Sequence, residues 1–188
     1  MPHEFSLIVA TTMTGGIGYQ GHLPWPTNRT DMTYFRNITT QRLNLEHVNA
    51  IIMGRRTWES LGGKPLPHRL NICITSRPLP GVICFSSLED ALLHVYYHPQ
   101  VERVFVIGGG QLYQEALWHP DCHELLVNRI AGDHECDTFF PEIDPDLYEL
   151  TDSLPLGAEV YHEKYSRRHN MSPDTEYDHP LSLQTQTP

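Results

Sequence analysis

Asp31 stands in Asn28-Arg29-Thr30-Asp31-Met32-Thr33-Tyr34-Phe35, a stretch that reads as the opening of a helix running to about Ile38. Three- and four-residue spacing puts Asp31, Phe35 and Ile38 on one face, so the acid points with the apolar stripe toward the interior. A carboxylate taken out of water is costly unless something pairs with it, and a ligand offering two N–H donors in a fork would do so. Apolar surroundings would also raise its pKa, which suits delivery of a proton. The plainer alternative is a helix cap or dipole partner, and the local pattern alone favours it. Just upstream runs Gly15-Gly16-Ile17-Gly18-Tyr19-Gln20-Gly21-His22-Leu23-Pro24-Trp25-Pro26. Such a glycine-rich loop can close over a ligand, while an indole and two prolines fix its far end.

Two further sets of residues point to an anion. Arg55-Arg56-Thr57 and Ser76-Arg77 each follow an apolar strand-like run. In an open α/β sheet, ligands bind beyond the carboxyl ends of the strands, and arginine suits bidentate phosphate recognition. Taken singly, each pair reads more readily as solvated loop arginines. Gly108-Gly109-Gly110 follows Val104–Ile107 and precedes a helix-like segment, so its backbone N–H groups could face a pyrophosphate. It is neither a complete G-x-G-x-x-G fingerprint nor a P-loop, and alone it carries even odds against a plain turn. The run His119-Pro120-Asp121-Cys122-His123-Glu124 lacks a second Cys/His pair at zinc spacing, and no metal is expected.

These groups need a frame, and the pattern supplies one. Apolar strands are predicted at Phe5–Ala10, Val48–Gly54, Arg69–Arg77, Val82–Phe85, Val104–Ile107 and Leu125–Ile130. Helices are predicted at 55–61, at 88–97 behind a Ser86-Ser87-Leu88-Glu89 capping box, and at 111–118; Thr138–Phe140 should be short and extended, and 148–168 should hold antiparallel edge strands. Strands with continuous apolar cores alternating with helices indicate an α/β sheet covered on both faces. The chain has 188 residues, enough for one sizeable core, and its net charge of −10 argues against a general nucleic-acid binder. Four cysteines without a C-x-x-C pair suit a reducing, cytoplasmic compartment. No run is long and apolar enough for a membrane span, and the three Asn-x-Ser/Thr sequons at Asn28, Asn37 and Asn170 read as chance. Residues 1–169 are expected to form one domain and 170–188 a polar, disordered tail or linker.

Taken together, Ile8-Val9-Ala10, Gly16-Ile17-Gly18, Leu23-Pro24-Trp25-Pro26, Met53-Gly54-Arg55-Arg56-Thr57-Trp58, Thr75-Ser76-Arg77, Ile107-Gly108-Gly109-Gly110-Gln111-Leu112-Tyr113 and Asp137-Thr138-Phe139-Phe140-Pro141 resemble the dihydrofolate reductase family from Phe5 to about Arg168. The resemblance implies an eight-stranded, mostly parallel sheet with flanking helices. It implies hydride transfer from NADPH to 7,8-dihydrofolate, giving tetrahydrofolate for one-carbon and thymidylate metabolism. Asp31 falls where the family keeps its active-site acid, which would hold the pterin amino group and ring N–H and assist protonation at N5. Thr138 would share that hydrogen-bond network, Trp25 would order nearby water, and Leu23 would lie on the mobile loop. Ile8, Val9, Met32, Phe35, Leu61, Leu66 and Ile107 would wall the pterin and its benzoyl extension, with Tyr113 beside them. Arg69 would pair with the substrate's α-carboxylate.

The resemblance further implies that Arg55, Arg56, Ser76 and Arg77 hold the adenosine 2′-phosphate, with Gly54, Thr57 and Thr75 beside them. Ala10 and the loop residues Gly16, Ile17, Gly18, Tyr19, Gln20, Gly21 and His22 would line the nicotinamide side. Gly108, Gly109, Gly110, Gln111, Leu112 and Tyr113 would wrap the nicotinamide and pyrophosphate, with a cis Gly108–Gly109 bond. Antifolate inhibitors are implied ligands, and the chain would be a monomer unless fused to a thymidylate synthase. Met32 stands where many animal members carry an aromatic, and Ser86 replaces a basic residue that some members use near the adenine ribose. Two other readings compete. One is a related reductase acting on another heterocycle, such as the pyrimidine intermediate of riboflavin synthesis. The other is a non-catalytic dinucleotide-binding module.

Overall fold

The computed structural model describes residues 4–168. The tail expected over 170–188 lies outside the described residues. Ten strands and four helices follow in chain order: β1 (Phe5–Thr12), β2 (Gly16–Gly18), α1 (Arg29–Thr40), β3 (Val48–Gly54), α2 (Arg55–Ser60), β4 (Arg69–Ile74), β5 (Ile83–Phe85), α3 (Leu88–Tyr96), β6 (Val101–Val106), α4 (Gly110–Trp118), β7 (Cys122–Ile130), β8 (Thr138–Phe139), β9 (Tyr148–Pro155) and β10 (Val160–Arg167).

Eight strands form one sheet in the order β5-β4-β3-β6-β1-β7-β10-β9. The pairings are parallel from β5 through β7, and β10 and β9 add an antiparallel edge. Parallel strands covered on both faces need apolar side chains on both sides, which is why the runs look continuous in sequence. Their alternation then sorts neighbours into two cores. Leu7, Val9, Ile52 and Val106 pack with α3 and α4 on one face. Ile8, Ile51, Met53, Phe105 and Leu126 pack on the other with Trp58, Tyr34, Phe35 and Ile38.

Local chemistry sets the helix ends. The Asn28 side chain accepts from the Asp31 N–H at 3.1 Å and caps α1. At the other end of α1, the Asn49 amide donates to the carbonyls of Thr39 and Gln41. The capping box of α3 lies one residue later than expected. Ser87 accepts from the Asp90 N–H and its hydroxyl donates to the Asp90 carboxylate at 2.7 Å, while Ser86 stays outside the helix. Two predicted ends also move. β4 stops at Ile74, because Thr75 Oγ1 turns the chain by accepting from the Arg77 N–H, and β6 starts at Val101.

The glycine-rich segment is more than a loop. Gly16–Gly18 pairs antiparallel with Thr138–Phe139 in a separate two-stranded sheet. His119, Cys122 and His123 have structural partners. His119 contacts Glu89, His123 Nδ1 bonds the Phe5 carbonyl, and Cys122 begins β7.

Candidate active site

Three neighbouring strand ends build one edge of the site. Gly54 of β3 lies in register with Ile74 of β4, and Ile52 with Val106 of β6. The ladder continues past β6: the Ile107 N–H donates to Ile52 and the Gly54 N–H to the Gly108 carbonyl at 2.7 Å. This brings Arg55-Arg56-Thr57, Thr75-Ser76-Arg77 and the triple glycine to one crevice at the carboxyl ends of the strands. Glycines cap both α2 and α4, and neither helix has a side-chain acceptor at its start. The first N–H groups of α4 are thus left for an outside partner. The Gly108–Gly109 bond is cis, as the resemblance implies. Gly108 has φ +111, and a Cβ there would lie 3.0 Å from the Tyr113 ring. Arg55, Arg56, Ser76 and Arg77 are exposed around this edge, with Arg55 also 3.5 Å from Glu59. A cluster of guanidinium groups, hydroxyls and free backbone N–H groups fits a phosphorylated dinucleotide.

Asp31 is 8% exposed, on the face of α1 toward β1 and β7. The expected cap role belongs instead to Asn28. Burial pushes the Asp31 carboxyl above the usual range, opposed by one hydrogen bond: Asn128 Nδ2 donates to Oδ1 at 2.8 Å. Around it, Ile8, Phe35, Leu61, Leu66 and Ile107 gather in the same apolar cluster. Met32 and Leu23 are more than half exposed at the mouth. Trp25 is buried against Ile130 and Val160, so the far end of the loop is anchored.

Arg69 is held at the rim. Its Nε donates to the Pro67 carbonyl at 3.0 Å, its Nη1 to Thr39 Oγ1 at 2.8 Å, and its guanidinium lies 5.8 Å from the Phe35 ring centroid. Burial and then Arg36 lower its pKa, so an anionic partner would be welcome. Asn71 fixes the same rim by accepting from the Leu66 N–H and donating to the carbonyls of Leu66 and Arg69.

Thr138 and the side chains of Val9, Leu112 and Tyr113 stand elsewhere. Thr138 does not join Asp31. It is exposed on β8, opposite Gly18, and its hydroxyl donates to Asp137. Pairing of β8 with β2 carries it to the glycine loop, and the place beside the acid is taken by Asn128. Val9 faces the opposite core from Ile8, because neighbours on a strand alternate. Leu112 and Tyr113 also turn their side chains into that core. Tyr113 still touches the site indirectly, its hydroxyl donating to the Ile8 carbonyl at 2.7 Å. Asn128 had a signal in sequence: it is a lone amide within Leu125-Leu126-Val127-Asn128-Arg129-Ile130, on the Leu126/Ile130 face.

The loop itself is tied down at several points. Tyr19 and His22 exchange backbone bonds, and the Gln20 N–H donates to Asp137 at 2.7 Å. Gly16 packs so closely that a Cβ would overlap Cys136 Sγ. Ile17 reaches the core on the α4 side, and Ala10 packs beside Trp25.

The dihydrofolate reductase family model matches residues 4–170. The chain is 38% identical to the dihydrofolate reductase of Rattus norvegicus over 175 residues, covering 87% of this chain and 93% of the relative. It is 36% identical to that of Heliothis virescens over 165 residues, covering 83% and 89%. A solved structure of dihydrofolate reductase from Enterococcus faecalis, complexed with NADP(H) and RAB-propyl, superposes with a TM-score of 0.74 at 32% identity, covering 90% of this chain and 99% of that one. With its sequence matched from residue 4 to 170 and its fold superposed over nearly the whole of a solved member, the chain belongs to the dihydrofolate reductase family.

Proposed function

We infer that this protein catalyses NADPH-dependent reduction of 7,8-dihydrofolate to tetrahydrofolate in the cleft over Asp31. Family membership supports the reaction, and one observation carries the chemistry: a buried acid with a raised pKa beside an apolar wall. Asp31 would hold the pterin's amino group and ring N–H through its two oxygens. Its pKa, raised by burial, moves in the direction that favours proton delivery to N5. Ile8, Phe35, Leu61, Leu66 and Ile107 would exclude water from the ring, and Met32 and Leu23 would meet the ligand at the mouth. Arg69, already oriented by Thr39 and Pro67, would receive the α-carboxylate.

When bound, NADPH supplies the hydride. The free N–H groups at the start of α4 would hold its pyrophosphate, and Arg55, Arg56, Ser76 and Arg77 its 2′-phosphate. Gly16–His22 would cover the nicotinamide side. Antifolates that carry a protonated diamino ring would compete for Asp31. Four free cysteines fit a reducing compartment, and we assign the activity to the cytosol. Among the described residues, no helix is long and apolar enough to cross a membrane. Some relatives are fused to thymidylate synthase, among them the bifunctional protein of Daucus carota, of which the match covers 31%.

The test is loss of absorbance at 340 nm on mixing NADPH with dihydrofolate, and its inhibition by methotrexate. Binding of both ligands with no turnover would overturn the reading. Turnover of a pyrimidine intermediate of riboflavin synthesis, in place of dihydrofolate, would favour the related reductase instead.

A further inference from the structure

The amide that holds Asp31 is itself held. Asn128 is 2% exposed and lies on β7 between β1 and β10, in register with Ala10 and His162. His162 is 5% exposed, and its Nδ1 lies 3.0 Å from Asn128 Oδ1. On its other side, Nε2 lies 3.0 Å from the Tyr34 hydroxyl, one turn along α1 from Asp31. The two rings pack at 4.6 Å between centroids.

Donor–acceptor logic gives this chain a direction. An ionised Asp31 only accepts, so Asn128 must present its NH2 there. Asn128 Oδ1 then faces His162 and needs a donor, which must be Nδ1–H. In the neutral ring Nε2 is left bare and accepts from the Tyr34 O–H. Burial keeps His162 neutral, lowering its pKa against the opposing pull of Asp152. Among the described residues, the charged groups that face it are Asp152 from β9, Glu124 from β7, and Glu163 and Lys164 from β10, with the Tyr34 hydroxyl of α1 at Nε2 and Asp31 one bond further on through Asn128. An amide has two orientations of similar shape. Without His162, only the ionised carboxylate would hold the NH2 in place, and a protonated Asp31 could donate to an Asn128 carbonyl turned toward it.

We propose that His162 is a positioning residue for dihydrofolate reduction, fixing through its Nδ1–H the orientation of the Asn128 amide that sets the charge and placement of Asp31. Tyr34 selects the tautomer. The inference rests on the assigned reaction, and it deepens the site by two residues that touch neither substrate nor cofactor. A merely structural cluster would affect folding alone, whereas this arrangement ties the antiparallel strand β10 to the acid's titration.

The test compares wild type, His162→Leu and His162→Asn by single-turnover hydride transfer across pH, with saturating NADPH and dihydrofolate. Asparagine can place its NH2 where Nδ1–H stood. In His162→Leu, the pH at which the rate falls to half is expected to move up by about half to one unit, the size of one neutral hydrogen bond. The dihydrofolate KM should rise, NADPH affinity should hold, and His162→Asn should restore the wild-type midpoint. A folded His162→Leu protein with wild-type midpoint and KM would overturn the proposal. Should that variant fail to fold, ¹⁵N chemical shifts of His162 in the wild-type NADPH complex decide. Protonated Nδ1 with bare Nε2 supports the proposal, and the opposite tautomer defeats it. Failure of wild type to turn over would count against the reaction itself, and the tautomer measurement does not depend on it.

Discussion

Asp31 differs from the other carboxyl groups whose titration is shifted. Hydrogen bonds from the loop backbone hold Glu102 and Asp137 below the usual range. For Glu124, burial pushes upward, but Lys164 and Ser6 win and the net shift is down. Asp31 has one neutral donor against its burial, and its shift is up. A group whose folded pKa is raised contributes stability below its unfolded pKa, near 3.9, and loses it as pH rises through the folded value. Asp31 therefore weakens the free protein at neutral pH. Asp31→Asn is expected to reduce hydride transfer at pH 7 by about 10²- to 10⁴-fold, with unchanged NADPH affinity. Thermal melting of the free variant at pH 7 should occur at or above the wild-type temperature, and a clear drop would contradict this account. In the proposed reaction Arg69 would work through binding rather than chemistry. Arg69→Leu is expected to raise the KM for dihydrofolate by roughly 10- to 100-fold, the worth of a hydrogen bond to a charge, with kcat little changed in steady-state assays.

At the scale of elements, the glycine loop is held by close contact as well as pairing. Gly16 needs no unusual backbone angle; what it needs is space, since Cys136 Sγ occupies the place of a side chain. Gly16→Ala should force β2 away from β8 and lower kcat. Gly16→Ala/Cys136→Gly should recover much of it, because both the sulfur and its Cβ are removed; stopped-flow measurement of loop closure would read the effect. The strand ends argue similarly for cofactor choice. The Arg77 turn is shaped by its backbone bond to Thr75, which leaves the guanidinium free at the crevice edge. Arg77→Ala is expected to weaken NADPH by roughly tenfold, in line with one charged hydrogen bond, while NADH affinity measured by fluorescence stays near wild type.

For the molecule as a whole, the acid on α1, the apolar wall from β1, α1 and the segment after α2, and the strand-end arginines are all seated on one sheet, so ligands should stabilise the entire fold. At 100 times Kd, a ligand that binds only the native state adds about 2.7 kcal/mol. NADPH should therefore raise the melting temperature, and methotrexate should raise it further. An absence of any shift with either ligand would contradict a preformed site. The net charge of −10 makes the point in another way, since the proposed anion site in this acidic chain is local and rests on a few arginines.

The sequence by itself determined the alternating α/β plan, the inward face of α1 that carries Asp31, the arginines and glycines at strand ends, and the family. These follow from short-range facts: apolar runs, three- and four-residue helical spacing, glycines at strand ends, and motifs in a fixed order. Only the tertiary structure decided which side chain meets the acid. Thr138 and Asn128 are both polar residues near the ends of strands, and nothing local separates them. Pairing of β8 with β2 takes Thr138 to the glycine loop, whereas the register of β7 between β1 and β10 sets Asn128 against Asp31 and His162. Strand alternation likewise sent Val9 away from Ile8. Register and facing are properties of pairs of distant segments, and a one-residue slip reverses them.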